Sequence, residues 1–249
     1  MKTTHLVLIL AAATVAVAQR PGWDAQGHFG GFHGGPVVTN EPYSGVGVAT
    51  STRTLADGNV INSQDCTKVY RDSAGRTRRE ETPKSTTCST TPQSIVITDP
   101  VAGVEYFING QNNTYRQITL KAPPAGATPP QGAGHQHPNN PNAVVTSLGT
   151  QAIAGTSLSA QGTQTVTTIP AGQFGNAQPI TITSVRWFSP DLKVVIQSSH
   201  TDPRNGTANY QLSNVSTAEP AASLFQLPAG LTLQQGPGGG QQGRGRRGR

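Results

Sequence analysis

The sequence predicts a mainly β protein built on a single curved antiparallel sheet, half-barrel-like, with few short helices and disordered ends. Three observations lead there. Glycine (29) and proline (19) are abundant while charged residues make up only 12% of the chain, and Thr and Val recur through its middle, a balance that favours strands and turns over long helices. Stretches that alternate small or apolar residues with polar ones are separated by short turn signatures such as Ala-Asp-Gly-Asn and Asp-Ser-Ala-Gly. No apolar run after the first twenty residues is long enough for a membrane-crossing helix. Alternating strands would also suit an outer-membrane barrel, whose signal per strand is weak.

The chain opens with Lys2, an apolar stretch from Leu6 to Ala13, and Ala16-Val17-Ala18, a small-x-small cleavage signature ahead of Gln19. Residues 1–18 therefore read as a secretory signal peptide, its apolar core too short to anchor in a bilayer, and the mature protein is expected to be exported, either periplasmic or secreted. Residues 19–42 form a Gly-rich arm that is disordered by composition. Residues 43–233 are expected to make one β domain, within the usual size for such a unit. Tyr43 to Leu55 and Val60 to Tyr70 flank the turn Ala56 to Asn59 as a hairpin, and Arg76 to Thr82 returns after Asp72 to Gly75. Ser94 to Thr98, Val104 to Asn109 and Tyr115 to Leu120 continue a meander through turns at Asp99 to Gly103 and Gly110 to Asn113.

At 121–143 repeated prolines interrupt the pattern, because each removes a backbone donor and fixes φ, so this stretch is expected to be a long surface loop. Strands resume at Val144 to Ile153, Ser157 to Ile169, Pro179 to Phe188, Leu192 to His200 and Ala208 to Val215. Alternation along Ile180, Ile182, Val185 and Trp187 is imperfect, which a bulge in that strand would explain. Residues 234–249 form a Gly/Gln/Arg-rich tail, disordered by composition.

The formal charge of +6 resembles a nucleic-acid signal until it is located. Arg244, Arg246, Arg247 and Arg249 fall in the last six residues and Lys2 leaves with the signal, so only +1 remains on the rest. No nucleic-acid partner is expected of an exported chain; the tail instead suits an anionic surface such as lipid headgroups or envelope polysaccharide, or serves only as a solubilising segment.

Cys66 and Cys88 are the only cysteines, and in an oxidising compartment an even pair is expected to be bonded. Their spacing is unlike the Cys-x-x-Cys of a redox pair. No metal or other cofactor is expected: His28 and His33 in the arm, and His135 and His137 in the Pro-rich stretch, lack the further ligands that a site requires. No Gly-x-Ser-x-Gly elbow frames a nucleophile, so no catalytic residue is assigned and the chain is read as non-enzymatic. His200 and Asp202 look most like a catalytic pair, but Asp202 before Pro203 has the ordinary role of capping a turn. Glu80 and Glu81 are adjacent, hence on opposite faces of a strand, and the Arg-Thr-Arg-Arg-Glu-Glu run from Arg76 reads as a charged sheet edge.

The segments Val69 to Glu80 (VYRDSAGRTRRE), Asp99 to Gly110 (DPVAGVEYFING), Ser147 to Thr156 (SLGTQAIAGT), Arg186 to His200 (RWFSPDLKVVIQSSH), Tyr210 to Val215 (YQLSNV) and Glu219 to Gly230 (EPAASLFQLPAG) together resemble exported bacterial proteins related to the lipoprotein-sorting carriers of the Lol type. In that superfamily an antiparallel sheet curls into a half barrel whose concave face holds acyl chains, and the chain closes on a Leu-Phe-x-x-Pro run, here Leu224 to Pro228. The Pro-rich interruption and Arg-rich tail lie outside that pattern, and the carriers' capping helices have no counterpart in the sequence. The resemblance implies a lipid or envelope partner. Two readings stay open: a sheet that binds an apolar ligand, with Val104, Tyr106, Ile108, Ile182 and Trp187 facing it, or a structural or interaction protein in which the same residues form an ordinary filled core.

Overall fold

The computed structural model describes residues 37–120 and 140–234. Residues 1–18, expected to be a signal peptide, nearly all of the Gly-rich arm with His28 and His33, most of the Pro-rich stretch with His135 and His137, and the tail with Arg244, Arg246, Arg247 and Arg249 lie outside the described residues. The strands are β1 (Tyr43–Thr54), β2 (Val60–Arg71), β3 (Thr77–Pro83), β4 (Ser94–Asp99), β5 (Val104–Asn109), β6 (Thr114–Thr119), β7 (Ala143–Ala152), β8 (Ser159–Ile169), β9 (Ile180–Ser189), β10 (Val194–Asp202), β11 (Gly206–Ser216) and β12 (Thr232–Leu233). A 3-10 turn, Ala222–Phe225, is the only helix among the described residues.

Side-chain chemistry sets the turns. Asp57, Asp99, Asn109 and Asp202 each accept a backbone N–H two residues on, at 2.9 Å in every case. This is the Asx arrangement, which lets a short polar side chain satisfy the amides a turn leaves free. At Asp72 the carboxylate accepts from the Arg76 amide and guanidinium at 2.8 and 2.6 Å, and Gly75 supplies the left-handed φ of 81° that closes the turn.

All twelve strands belong to one open curved sheet in the order β12-β6-β5-β4-β3-β2-β1-β11-β10-β9-β8-β7. Every pairing is antiparallel except the short parallel contact of β12 with β6, which makes the sheet mixed rather than purely antiparallel. The order is linear, so among the described residues the sheet does not close into a barrel. β3 pairs with both β2 and β4, so the Arg/Glu run occupies an interior strand and not the expected edge. Glu80 and Glu81 do fall on opposite faces, opposite Lys68 and Thr67 respectively. The expected bulge belongs to β10 rather than β9: register slips between Val195 and Gln197, while β9 runs unbroken against β8.

Register from β1 to β5 is continuous, so the two faces of that half can be traced residue by residue. Tyr43, Val69, Arg71, Arg79, Val96 and Phe107 share one face. Arg71 on this face donates from Nη2 to the Leu192 carbonyl at 2.5 Å, and Leu192 belongs to the turn between β9 and β10. On a flat sheet β2 and β10 would lie three strand spacings, about 14 Å, apart. The sheet therefore curls toward the Tyr43 face, which is its concave side. The main core lies at this curl: Tyr43, Val69, Ile153, Ala160, Leu192, Ile196, Tyr210, Leu212 and Val215.

The opposite, convex face carries Ile95, Ile97 and Ile108 as a second core. Tyr106 and Tyr115 pack beside it, and Leu227 and Leu231 from the segment after β11 cover it. That segment crosses beneath the sheet and ends as β12, where Thr232 donates its amide to Asn113 at 3.0 Å.

Candidate functional site

On β5, Val104, Tyr106 and Ile108 point to the face they share with Ile97 and Ile95, the convex one, where Tyr106, Leu227 and Leu231 pack against the Ile95, Ile97 and Ile108 cluster. Ile108 is buried, and the Tyr106 and Tyr115 rings meet edge to face with centroids 6.1 Å apart. On β9, Trp187 pairs with Gly162 and Ile182 with Thr167, and an odd separation of positions on an unbroken strand puts them on opposite faces. The Trp187 ring lies over Gly162, where an added Cβ would sit 2.6 Å from it, and packs against the main core. The five positions expected to face one ligand are thus not brought together. Sequence alternation shows which residues share a strand face, but which face is concave depends on the curl, and that comes from the Arg71 to Leu192 contact 121 residues apart.

The concave face is held by buried polar groups that the sequence did not single out. Arg71 is 5% exposed; besides Leu192 it donates from Nε to the Glu41 carbonyl at 2.8 Å and stacks over the Tyr43 ring at 4.7 Å. Burial pulls the Arg71 guanidinium below its usual range, opposed by the neighbouring Tyr43 and Glu41. Burial pushes the Tyr43 phenol up to about 12, and raises the Tyr210 phenol as well. Both hydroxyls therefore stay neutral at physiological pH and unsuited to act as bases. Arg79 pairs with Glu81 at 2.9 Å on the same face. Phe107 and Val96 lie half-buried there, with Ile118 40% exposed beside them and the Arg116 guanidinium over the Phe107 ring at 5.1 Å.

Ser184 Oγ and His200 Nδ1 are 2.9 Å apart across β9 and β10, a hydroxyl and imidazole at hydrogen-bond distance. Burial lowers the His200 pKa, with Asp202 opposing and Arg204 adding to the effect, so the ring is neutral near pH 7. Asp202 gives both oxygens to the Arg204 side chain, at 3.0 and 2.7 Å, and one also to Asn205. It caps its turn, as expected, through the Arg204 amide at 2.9 Å. Among the described residues no group of three His, Cys, Asp or Glu side chains could hold a metal, and no helix is long and apolar enough to cross a membrane.

Cys66 and Cys88 are bonded. The bond joins β2 to the polar stretch between β3 and β4, which has few other anchors: Ser89 donates its amide to Thr82 Oγ1 at 3.1 Å, and Lys68 reaches the Ser89 carbonyl at 3.3 Å.

Two sequence segments quoted above meet in space. From the Val69 to Glu80 hairpin, Ser73 binds the Glu219 carboxylate through its amide and hydroxyl at 3.1 and 2.5 Å, and Arg76 stacks over the Phe225 ring at 5.2 Å. Arg78 donates to the Leu224 carbonyl at 3.0 Å while pairing with Glu80 at 2.7 Å. The charged hairpin is therefore the dock for the closing segment, with Phe225 buried between them.

The architecture defined so far is an open curved sheet with its closing segment strapped across the convex side. Solved structures similar to it include that of MucB, at 13% identity over 79% of this chain with a TM-score of 0.39. A LolA superfamily protein from Nitrosomonas europaea matches at 8% identity over 77% of this chain and 93% of its own, with a TM-score of 0.32. LprF from Mycobacterium bovis matches at 16% over 73% of this chain and 90% of its own, with a TM-score of 0.29. The group that the sequence resembles is thus among these structures, although the chain spans only 60% of the length of MucB. Likeness at this level says nothing of function. No family model matches the sequence, and no curated protein matches it.

Proposed function

We propose that this chain is an exported, non-enzymatic docking protein of the cell envelope, whose curved sheet is filled by its own side chains rather than by an apolar ligand. The observation that carries this reading is the cover over β4 and β5: Ile95, Ile97, Ile108 and Tyr106 pack against Leu227 and Leu231 of the same chain, and Trp187 packs into the main core. Apolar side chains on a sheet bury against protein more often than against ligand. An anionic envelope surface is the partner suited to Arg244, Arg246, Arg247 and Arg249, each adding about 1 kcal/mol near such a surface.

A second reading, in which an acyl chain lies on the concave side, is favoured by one observation: Val96 and Phe107 pair there with Ile118 diagonally beyond, all partly open to solvent beside the Arg116 guanidinium. Titration of the mature protein with a fluorescent long-chain fatty acid separates the two. The filled sheet predicts no saturable binding. Stoichiometric binding that Phe107→Ala abolishes would replace it with the second reading.

A further inference from the structure

The sheet has two ends of different character. At one, β12 contributes two residues in parallel to β6. At the other, β7 runs for ten residues, Ala143–Ala152, and among the described residues no strand pairs with its outer side. A strand end of this kind presents a row of backbone N–H and C=O groups that fit another strand and nothing else so well. Proteins normally blunt such an edge with Lys, Pro, inward charges or a β-bulge. The strand, Ala-Val-Val-Thr-Ser-Leu-Gly-Thr-Gln-Ala, has a bulge at Leu148 but none of these devices from Ala143 to Ser147, where Val144 is 64% and Val145 67% exposed.

The lack of charge extends well beyond the strand. From Ala122 to Val185 the sequence contains no Asp, Glu, Lys or Arg, so β7, β8 and most of β9 form a neutral end on a chain that carries 18 basic and 12 acidic residues elsewhere. An oppositely charged partner would find nothing there to pair with. A neutral edge is complementary to itself. Register against β8 is unbroken from Ala143 to Ser147 and slips only after Ser147, where Leu148 is the extra residue, so the flat part of the edge is Ala143 to Ser147. Antiparallel pairing of that part with its own copy about a two-fold axis through Val145 sets Val145 opposite Val145 and Val144 opposite Thr146. These are β-branched pairs of the kind that stabilise sheets.

We infer that β7 is the interface of a homodimer, in which two copies join edge to edge into one continuous sheet. Because the pairing is two-fold and uses the same edge on both copies, and β7 is the long open edge among the described residues, the assembly closes at two and does not grow into a fibre.

Sedimentation of the mature full-length protein tests this, with Val145→Lys and Val144→Lys as interface variants and Val101→Lys, at an equally exposed turn position (74%), as control. The expected result is a mass of two chains for the wild type and the control. Val145→Lys, which sets two like charges face to face at the axis, should weaken the dimer at least tenfold, with a thermal transition equal to that of wild type at concentrations too low for either to dimerise. Wild-type protein that stays monomeric up to about 0.1 mM overturns the inference. So do a mass above two chains, or lysine variants that dimerise as tightly as wild type. Should Val145→Lys fail to fold, Val144→Lys gives the same reading from the neighbouring position.

Discussion

Arg71 joins three separate parts of the chain through one guanidinium: the entry to β1 through the Glu41 carbonyl, the Tyr43 ring, and the turn between β9 and β10 through Leu192. Arg71→Met keeps the stem but takes the donor from the buried Leu192 carbonyl and the half-buried Glu41 carbonyl, and should cost about 3 kcal/mol or more in urea unfolding. A midpoint close to wild type would show that the curl does not depend on this clamp. Gly47 is fixed by contact rather than by backbone angle, since a Cβ there would sit 2.5 Å from the Tyr210 hydroxyl, and Tyr210 is buried. Gly47→Ala should therefore destabilise by roughly 1–3 kcal/mol through overpacking, read by the same unfolding curve. Asp202 makes the residue scale depend on pH. Its carboxyl is held below the usual carboxylate range, chiefly by the hydrogen bond from the Arg204 side chain, so it contributes stability above the unfolded value near 4, which is lost as pH falls through the folded value. The stability gap between wild type and Asp202→Asn should be widest near neutral pH and shrink below about pH 4. A gap that is constant from pH 7 to pH 3 would contradict this assignment.

At the scale of elements, the strap from Glu219 to Leu231 depends on the hairpin it docks against. Phe225 is 3% exposed beneath Arg76, and Phe225→Ala should cost about 3–5 kcal/mol, with β12 released from β6 and faster amide exchange at Thr232 and Gln234. Unchanged exchange at those two amides would show that β12 holds on its own. The disulfide spans 22 positions, so the double variant Cys66→Ser with Cys88→Ser should be less stable than wild type by about 3 kcal/mol, checked by thermal unfolding without reductant. Most strands were legible because their turns are local: Asp57, Asp99 and Asn109 announce their own reversals, and β5 falls where alternation places it, at Val104–Asn109. The two-residue β12 was not legible, because Thr232 and Leu233 become a strand only through β6, over a hundred residues earlier.

For the whole molecule, the sequence indicates a single sheet but not its order. The Arg/Glu run on β3 looks like an edge because charges usually mark one, yet Arg78, Arg79, Glu80 and Glu81 pair among themselves on the two faces of an interior strand. The true long edge, β7, is neutral, and no local rule distinguishes it from a buried strand. The five positions expected to face a ligand are divided between the two faces for a related reason: alternation groups Val104, Tyr106 and Ile108, but the curl sets them on the convex side, where the closing segment packs against the Ile95, Ile97 and Ile108 cluster. The central claim, that this sheet is filled by its own chain, is tested most directly by native mass spectrometry of the protein purified from its native host, followed by denaturing extraction of anything bound. The account predicts the mass of the polypeptide alone, two hydrogens below the reduced chain for the Cys66–Cys88 bond, in whatever oligomer is observed. A reproducible lipid-sized adduct released on denaturation would contradict it.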